Sequence, residues 1–326
     1  MNNSFRLAIV KAVILKEYGS SDVLQYVDID KPTVAADQVL IQVCASSINP
    51  LDWKVRKGML KVFSGSKFPL ILGFDVAGIV AEIGSEVTQF KPGDAVFACT
   101  SAKFQGSANA EYITITESLL ALKPANMSYE EAASVPLAAL TALQALRDKG
   151  QVKAGDRILI NGASGGVGCF AVQIAKELGA KVTGVCSTKN LQLVRSLGAE
   201  TVLDYTQEDF TQNSVKYDCI FDAVAKQSFP KCRQVLKPKG IYISTLPDLG
   251  GAFWNVLTGL LPGKKAKWIV LNPNAEDLNI LKNWIEEDKL RAIVDRTYPL
   301  SEVANAHQYS QSERAVGKII ITVSEP

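Results

Sequence analysis

Residues 158–168 have the sequence ILINGASGGVG, and a helical run from Cys169 to Leu178 follows them. This glycine-rich turn stands between a strand and a helix at the start of a β–α–β unit, which is the context that a dinucleotide-binding motif needs. Glycines permit the tight turn and let the backbone approach a pyrophosphate, whose charge then meets the amides and dipole of the helix N-terminus. The stretch therefore predicts a dinucleotide site, with a strand–helix turn that binds no ligand as the alternative.

The sequence around this turn alternates regularly between strands and helices. The predicted strands are Arg157–Ile160, Lys181–Val185, Thr201–Tyr205, Asp218–Phe221 and Gly240–Ser244, and the predicted helices are Val167–Leu178 and Leu191–Leu197. Such alternation implies a parallel, doubly wound sheet of the α/β class with right-handed crossovers.

The sequence before this region has short strand-like runs separated by glycines and prolines, which predict a compact β domain up to about residue 125. The runs are Val39–Cys44, Val76–Ile83, Asp94–Phe97 and Glu111–Ile115. The apolar run at residues 7–15 is interrupted by Lys11 and lacks a cleavage site, so it predicts a first strand rather than a signal peptide. Ser128 and Glu131 have the spacing of a capping box, and the alanine-rich run after them predicts a helix to about Arg147.

The pattern changes again after about residue 270, where a helix over Ala275–Glu287, a short helix over Val303–Tyr309 and a strand over Gly317–Val323 are predicted. The predicted organisation is therefore a β domain over 1–127, a nucleotide-binding domain over 128–270 and a C-terminal segment over 271–326. The order of these elements permits the last strand to return to the first domain.

The end of the second predicted strand distinguishes the two nicotinamide cofactors. NAD sites usually place Asp or Glu there, about 20 residues past the glycines, to bond the ribose 2′-hydroxyl. Here residues 185–190 are VCSTKN and contain no acid. The hydroxyls of Ser187 and Thr188 and the charge of Lys189 suit a 2′-phosphate, so NADPH is the predicted cofactor. A solvated polar turn is the alternative.

Composition limits the classes of function and location. The chain has 326 residues, of which 47% are hydrophobic, and its formal net charge of +2 gives no overall field for nucleic acid or a membrane. No uninterrupted apolar run reaches about 18 residues, so no transmembrane span is predicted. The six cysteines occur singly, without a Cys-x-x-Cys pair. Free buried thiols in a reducing compartment are expected, which predicts a cytoplasmic location.

A series of motifs, found in order from one end of the chain to the other, resembles one known family. The motifs are NPLDWKVRKG at 49–58, FPLILGFDVAGIV at 68–80, KPGDAVF at 91–97, PLAALTA at 136–142, the glycine turn, RSLGA at 195–199, DY at 204–205 and GKI at 317–319. Together they resemble the medium-chain dehydrogenase/reductase family, in its zinc-free branch of quinone oxidoreductases and alkenal/alkenone reductases, and most of all its chloroplast-envelope-type quinone oxidoreductase homologues.

The resemblance implies an α/β fold with a GroES-like β-barrel catalytic domain and a Rossmann domain, residues 271–326 rejoining the first. It also implies a homodimer formed through the nucleotide-binding domains. The candidate cofactor-binding residues are Lys54, Thr141, Ser164, Gly165, Gly166, Val167, Ser187, Thr188, Lys189, Tyr205, Val224, Leu246 and Lys318.

Within this set the resemblance implies particular roles. Gly166 and Val167 would lie on the pyrophosphate, and Ser187, Lys189 and Tyr205 would hold the 2′-phosphate. Val224 and Leu246 would pack near the adenosine and nicotinamide halves respectively. Asn49, Asp52, Lys54 and Thr141 would line the nicotinamide end of the cleft, and the first three are the candidate catalytic residues.

Zinc ligands are missing from the positions where zinc-dependent relatives carry them. Those relatives have Cys at the position aligned with Asn49 and a His-Glu pair where this chain has Phe74 and Asp75. A catalytic zinc needs three N, S or O ligands, and Phe74 can supply none. The structural-zinc cysteine run is also missing, so no metal is predicted. The single histidine, His307, is expected at the surface or at a helix cap.

The missing ligands favour conjugate reduction over alcohol oxidation. Hydride would pass to the β-carbon of an enone, and charge would collect on the carbonyl oxygen, which needs a hydrogen-bond donor. The donor is predicted among Lys54, Asn49 and the ribose 2′-hydroxyl, while cofactor binding by Lys54 or its pairing with Asp52 stays open. The predicted function is an NADPH-dependent reductase of small enones, alkenals and quinones.

Two other functions stay open. An enoyl-thioester reductase would need a basic rim for its carrier, which Lys54, Arg56, Lys57 and Lys61 offer. An NADPH-binding sensor or recruited scaffold would show negligible turnover. The apolar stretch 249–261, followed by Lys264, Lys265 and Lys267, is interpreted as dimer or core packing, as a substrate wall or lid, or as a contact with anionic lipid.

Overall fold

A computed structural model of the chain describes residues 8–65, 67–100, 106–245 and 249–325. These residues form two compact units. The first contains residues 1–137, 272–286 and 294–326, and the second contains residues 138–271 and 287–293. The polypeptide therefore leaves the first unit after residue 137, builds most of the second unit, returns at residue 272, and adds residues 287–293 to the second unit before it ends in the first.

Sixteen strands and ten α-helices are present in the described residues. The strands are β1 Ile9–Leu15, β2 Leu24–Asp30, β3 Gln38–Ile48, β4 Leu70–Ile71, β5 Asp75–Ile83, β6 Ala95–Cys99, β7 Tyr112–Thr116, β8 Leu120–Leu122, β9 Arg157–Asn161, β10 Lys181–Cys186, β11 Thr201–Asp204, β12 Tyr217–Asp222, β13 Leu236–Ser244, β14 Lys265–Trp268, β15 Val294–Pro299 and β16 Lys318–Thr322. The helices are α1 Pro50–Arg56, α2 Lys61–Ser64, α3 Tyr129–Ala133, α4 Pro136–Gln144, α5 Gly166–Glu177, α6 Leu191–Ser196, α7 Phe229–Cys232, α8 Leu249–Leu260, α9 Ala275–Glu286 and α10 Val303–Gln311.

The second unit is built on one six-stranded sheet in the order β11-β10-β9-β12-β13-β14. All of its neighbouring strands run parallel. This order, with the chain starting at the centre and winding first to one edge and then to the other, is that of a Rossmann fold. The predicted doubly wound sheet is confirmed, and its central strands β9 and β12 are almost entirely buried, as is usual for parallel sheets.

The first unit contains a three-stranded sheet, β2-β1-β4, and a seven-stranded sheet in which β3 is the longest strand. One edge of β3 is divided between two partners. Its residues 38–42 pair with β7, and its residues 45–48 pair with β16. The other edge pairs with β5. A strand from the C-terminal part of the sequence therefore completes the sheet of the first unit.

The prediction of one alanine-rich helix from Ser128 to about Arg147 is wrong, because the structure divides this stretch into separate helices. The capping box is present, since Ser128 Oγ accepts from Glu131 N at 3.2 Å and Glu131 Oε2 accepts from Ser128 N at 3.0 Å. However, α3 ends at Ala133 and α4 starts at Pro136, because proline lacks an N–H and disfavours a helical residue before it. After α4 a π-helical turn covers Ala145–Lys149.

Both units bury apolar side chains in cores of their own. In the first, Val39, Ile41 and Val43 of β3 pack with residues of β5 and β6. In the second, Leu159 and Ile220 of the central strands pack with Phe229 and Trp254. All six cysteines are buried and free, as expected from the sequence. Among the described residues, no helix is long and apolar enough to cross a membrane.

Candidate functional site

The glycine turn of the second unit has the conformation that its sequence predicts. Gly162 has φ +80°, which L side chains rarely adopt, and the amide of Gly165 donates to Gly162 O at 3.0 Å. A Cβ on Gly168 would lie 2.0 Å from Gly162 O, so only glycine fits there. A Cβ on Gly165 would meet only Gly162 O, at 3.5 Å. Residues 164–167 are half-buried, and α5, which has 12 residues, begins at Gly166. Amides accessible at a helix N-terminus suit a pyrophosphate.

The end of β10 lies beside this turn. The side-chain amide of Asn190 donates to Ser164 Oγ at 3.0 Å and to Ser187 Oγ at 3.3 Å. Ser187 is half-buried, while Lys189 and Tyr205 are exposed. Of the predicted phosphate-binding residues, Ser187 is thus linked to the glycine turn through Asn190, and the roles of Lys189 and Tyr205 stay predictions. Asn190, which links the two elements, was missed, because a lone Asn in a polar turn gives no signal of its partners.

The contacts of Thr188 differ from those expected of a residue that binds the 2′-phosphate. Its hydroxyl donates to Asp204 Oδ2 at 2.5 Å, and Asp204 Oδ1 accepts from Thr206 N at 2.9 Å. The Thr188 hydrogen bond holds the pKa of the Asp204 carboxyl below its usual value. Because its proton is committed to Asp204, Thr188 can offer a phosphate only lone pairs, and its place in the phosphate site stays a prediction.

A buried polar network stands at the carboxyl ends of β9 and β12. Asp222, fully buried, accepts from Asn161 Nδ2 at 2.8 Å, from Gln227 N at 2.8 Å and from Tyr242 Oη at 3.0 Å. This network fixes the turn that carries Val224, which is 41% exposed and packs over Gly162. The sequence contained a signal for it, since Asn161 and Asp222 end neighbouring parallel strands in register. Leu246, which was predicted to pack near the nicotinamide half of the cofactor, lies outside the described residues.

In the first unit, Asn49 and Asp52 form the start of α1. Asp52 Oδ2 accepts from Asn49 N at 2.7 Å, and Asp52 Oδ1 accepts from Gly73 N at 2.8 Å. Burial raises the pKa of Asp52 to about 7, against the opposite effect of these two backbone donors. Asp52 is fully buried and both of its oxygens are engaged, which favours a positioning role for it. Its catalytic assignment stays a prediction.

A buried ion pair holds the side chain of Asn49. Asp75 Oδ2 accepts from Asn49 Nδ2 at 2.8 Å, from Ser47 Oγ at 2.5 Å and from Lys318 Nζ at 3.1 Å. Lys318 Nζ also donates to Asn49 Oδ1, and Asp75 Oδ1 accepts from Leu137 N at 2.6 Å. The amide of Asn49 is therefore fixed in one orientation. Because Lys318 is buried by this contact, the structure favours a structural role for it, and its cofactor contact stays a prediction.

Lys54 and Thr141 lie on different helices. Lys54, on α1, is half-buried, and its ammonium group lies 5.4 Å from the centre of the Trp53 ring, within cation–π range. Thr141 is buried on α4. Both stay predicted site residues.

Two expectations from the sequence are wrong. His307, expected at the surface, is fully buried, because α10 turns this face toward α1 and β3. Arg56, considered part of a basic rim, is also fully buried at the end of α1. Of that rim only Lys57 and Lys61 are exposed. An exposed four-residue basic rim on this segment is therefore contradicted.

The residues at the positions of zinc ligands have other partners. Phe74 is fully buried in an apolar cluster with Leu72 and Val55. Asp75 is paired with Lys318. Within residues 8–65, 67–100, 106–245 and 249–325, no group of three or more His, Cys, Asp or Glu side chains could hold a metal ion.

The apolar stretch after residue 249 forms α8 and its C-terminal turn. Trp254 packs on Phe229 with ring centres 5.5 Å apart, so one side of α8 belongs to the core. Phe253, Val256 and Leu260 are exposed on another side. The side chains of Lys264, Lys265 and Lys267 donate to backbone carbonyl oxygens of their own unit. Lys265 donates to Thr258 O at 2.5 Å and to Leu261 O at 2.6 Å and therefore caps the C-terminus of α8. This use of the lysines weakens the lipid interpretation and leaves the exposed apolar side without a described partner.

Comparisons with known proteins agree with this architecture. Residues 35–145 match the family described as alcohol dehydrogenase GroES-like domain, and residues 197–321 match the family described as zinc-binding dehydrogenase. The chain is 37% identical over 314 residues to the chloroplast envelope quinone oxidoreductase homolog of Arabidopsis thaliana, covering 93% of this chain and 95% of that protein. It is 37% identical over 322 residues to the chloroplastic NADPH-dependent alkenal/one oxidoreductase of the same plant, covering 96% and 79%. The solved structure of a quinone oxidoreductase from Coxiella burnetii has a TM-score of 0.90 at 32% identity, covering 97% and 100%.

A β unit completed by a returning strand, together with a Rossmann unit with a glycine turn, defines a two-domain nucleotide-dependent oxidoreductase. More specifically, the chain belongs to the medium-chain dehydrogenase/reductase family, among its quinone oxidoreductases and alkenal/one reductases.

Proposed function

We propose that this protein is an NADPH-dependent, zinc-independent reductase of α,β-unsaturated carbonyl compounds, alkenals and enones, and of quinones. The observation that carries the proposal is the group of Ser187, Asn190 and Lys189 beside the glycine turn, where no acidic side chain ends β10. Two relatives, similar over 93% and 96% of this chain, are named as a quinone oxidoreductase homolog and an NADPH-dependent alkenal/one oxidoreductase.

The residues of the second unit fit such a cofactor. The backbone amides of the half-buried residues 164–167, at the N-terminus of α5, would receive the pyrophosphate. Ser187 and Lys189 would hold the 2′-phosphate, with exposed Tyr205 beside them, and Val224 would pack on the adenosine. When bound, NADPH supplies a hydride from C4 of its nicotinamide ring.

The first unit would supply the hydrogen-bond donor for the substrate. As hydride reaches the β-carbon, negative charge collects on the carbonyl oxygen, and a fixed donor stabilises it. The Lys54 ammonium group is one candidate. The Asn49 amide is the other, since Asp75 and Lys318 fix its orientation and its Nδ2 carries a second proton. Asp52 would act by positioning Asn49, and water would protonate the α-carbon.

The experiment that tests this function is NADPH consumption by EDTA-treated protein with 2-alkenals, vinyl ketones, quinones and saturated aldehydes, with NADH in parallel. We expect turnover of the conjugated substrates and a strong preference for NADPH. Tight NADPH binding without turnover of any substrate would contradict the reductase function and favour the sensor or scaffold function.

The cofactor preference gives a prediction for one side chain. Replacing Lys189 by Ala removes a charge-assisted hydrogen bond to the 2′-phosphate, so the KM for NADPH should rise about tenfold or more while that for NADH stays unchanged. Lys181, exposed at the start of β10, is the matched control, and K181A should leave both values unchanged. Equal effects of K189A on the two cofactors would contradict the phosphate assignment.

We also propose that the protein forms a homodimer through its nucleotide-binding units. In support, β14 is an edge strand of the six-stranded sheet, and α8 next to it exposes Phe253, Val256 and Leu260. Light scattering after size-exclusion chromatography should give twice the mass of the chain. A cytoplasmic location stays a prediction, in keeping with the six free thiols.

A further inference from the structure

Arg56 is a buried cation in an unusual environment. It ends α1, its side chain is 0% exposed, and its Nη2 donates to Gln311 Oε1 on α10. Its Nε and Nη1 are buried and have no hydrogen-bond partner. Among the described residues no carboxylate forms an ion pair with it. The negative charge that acts on Arg56 is that of Asp22. Asp22 is exposed, and its carboxylate accepts a hydrogen bond from Ser20 Oγ at 3.1 Å.

The environment of Arg56 contains a second buried polar side chain without partners. His307 is 0% exposed, and neither Nδ1 nor Nε2 makes a hydrogen bond. Burial, together with the charge of Arg56, lowers the pKa of His307 to about 3. His307 is therefore neutral near pH 7 and presents one N–H donor. Arg56 and His307 together hold several unused N–H donors, a net charge of about +1 and no acceptor that balances it.

The region is closed by a third element. The amide of Gly19 donates to Arg56 O at 2.9 Å, and Gln308 Nε2 on α10 donates to Ser21 Oγ at 2.8 Å. Residues 19–21 thus cross the ends of α1 and α10. An unpaired guanidinium in such an enclosed place is strongly unfavourable, because desolvation removes water without supplying a counter-charge.

We propose that the enclosed cluster of Arg56, His307 and Gln311 is a binding site for one small monovalent anion of the chloride class. A monovalent ion balances the single charge of Arg56. A small ion suits a site whose two donor side chains, Arg56 and His307, are fully buried, whereas phosphate or sulfate brings excess charge and four oxygens that need donors. The anion accepts hydrogen bonds from the guanidinium and from the imidazole, which are the groups otherwise left unsatisfied. Arg56, His307 and Gln311 are not among the residues proposed to bind cofactor or substrate.

Thermal unfolding in different sodium salts tests the proposal. At about 0.15 M ionic strength, melting in chloride or bromide should occur about 3 °C above melting in gluconate, which is too large to enter. Equal melting temperatures in the three salts would overturn the proposal. Because this comparison does not depend on turnover, a failure of the anion-site proposal is distinguishable from a failure of the proposed reductase function.

Two variants separate this site from general salt effects. Gln311→Glu replaces the neutral partner by an isosteric carboxylate, which supplies the counter-charge within the chain. It should raise the melting temperature in gluconate and abolish the difference between salts. Arg56→Met removes the charge and should also abolish the difference; if it fails to fold, Gln311→Glu still decides. A difference between salts that persists in Gln311→Glu would overturn the proposal, because it would arise elsewhere.

Crystals grown in bromide give a direct readout. An anomalous peak within hydrogen-bond distance of Arg56 and His307 in the wild type, absent in Gln311→Glu, is the expected result. Density without anomalous signal at this place would identify water and overturn the proposal.

Discussion

Asp52 and His307 are titratable side chains of the first unit whose pKa values burial moves in opposite directions. Burial raises the pKa of Asp52 to about 7 and lowers that of His307 to about 3, because in each case it disfavours the charged form. The consequences for stability are also opposite. Asp52 contributes stability that is lost as the pH rises from about 4 to about 7, and His307 contributes stability that is lost as the pH falls from about 6.5 to about 3.

Replacing His307 by Gln should remove the second of these effects. In the wild type the unfolded state binds a proton that the folded state excludes, so the free energy of unfolding should fall by about 1.4 kcal/mol per pH unit between pH 6 and pH 4 relative to H307Q. Urea unfolding in gluconate buffer at several pH values measures the difference. Parallel pH profiles for the two proteins would show that His307 titrates normally, and hence that it is not enclosed.

At the scale of elements, the glycine turn and α5 depend on one steric contact. A Cβ on Gly168 would lie 2.0 Å from Gly162 O, whereas a Cβ on Gly165 would lie 3.5 Å from the same atom. We therefore expect G168A to cost about 1–3 kcal/mol or more of stability and to abolish cofactor binding. G165A is the matched control and should retain the stability of the wild type, with weaker NADPH binding because its methyl group stands where the pyrophosphate would approach. Thermal melting measures the stability of the two variants, and NADPH titration measures their cofactor binding. Equal melting temperatures of G168A and G165A would contradict the steric argument.

The strands and helices that the sequence predicts well are those whose signal is local. The glycine turn, β9, β10 and α5 follow from runs of adjacent residues, and the capping box of Ser128 and Glu131 is present as predicted. The break at Pro136 was missed because the alanine content outweighed one residue whose effect is on the backbone. The face of α10 that holds His307 was also missed, because a lone histidine does not indicate what packs on it.

At the scale of the molecule, the buried pair of Asp75 and Lys318 joins chain segments that are 243 residues apart. Lys318→Met would leave a buried carboxylate without its cation, so we expect a loss of about 3–5 kcal/mol in the free energy of unfolding. The double variant D75N/K318M removes the unpaired charge and should be more stable than K318M alone. Urea unfolding measures the three proteins, and a K318M protein as stable as the wild type would show that the pair contributes only to orientation.

The distance along the sequence between contacting residues also explains how much of the candidate site could be predicted. Ser187, Lys189 and the glycine turn lie within about one β–α–β unit, so their chemistry could be inferred from spacing. The orientation of Asn49 depends on Lys318, and no spacing rule connects residues so distant in one sequence. The role of Asn190 depends on a side-chain direction that only the fold determines.

The division of β3 between two partners has a consequence for synthesis of the protein. Residues 45–48 of β3 pair with residues 319–322, so this part of the strand edge has no partner until residues 319–322 have left the ribosome. The second unit draws most of its residues from one continuous stretch, 138–271, and can fold earlier. During translation the nascent first unit therefore exposes an unpaired strand edge of the kind that chaperones protect from aggregation.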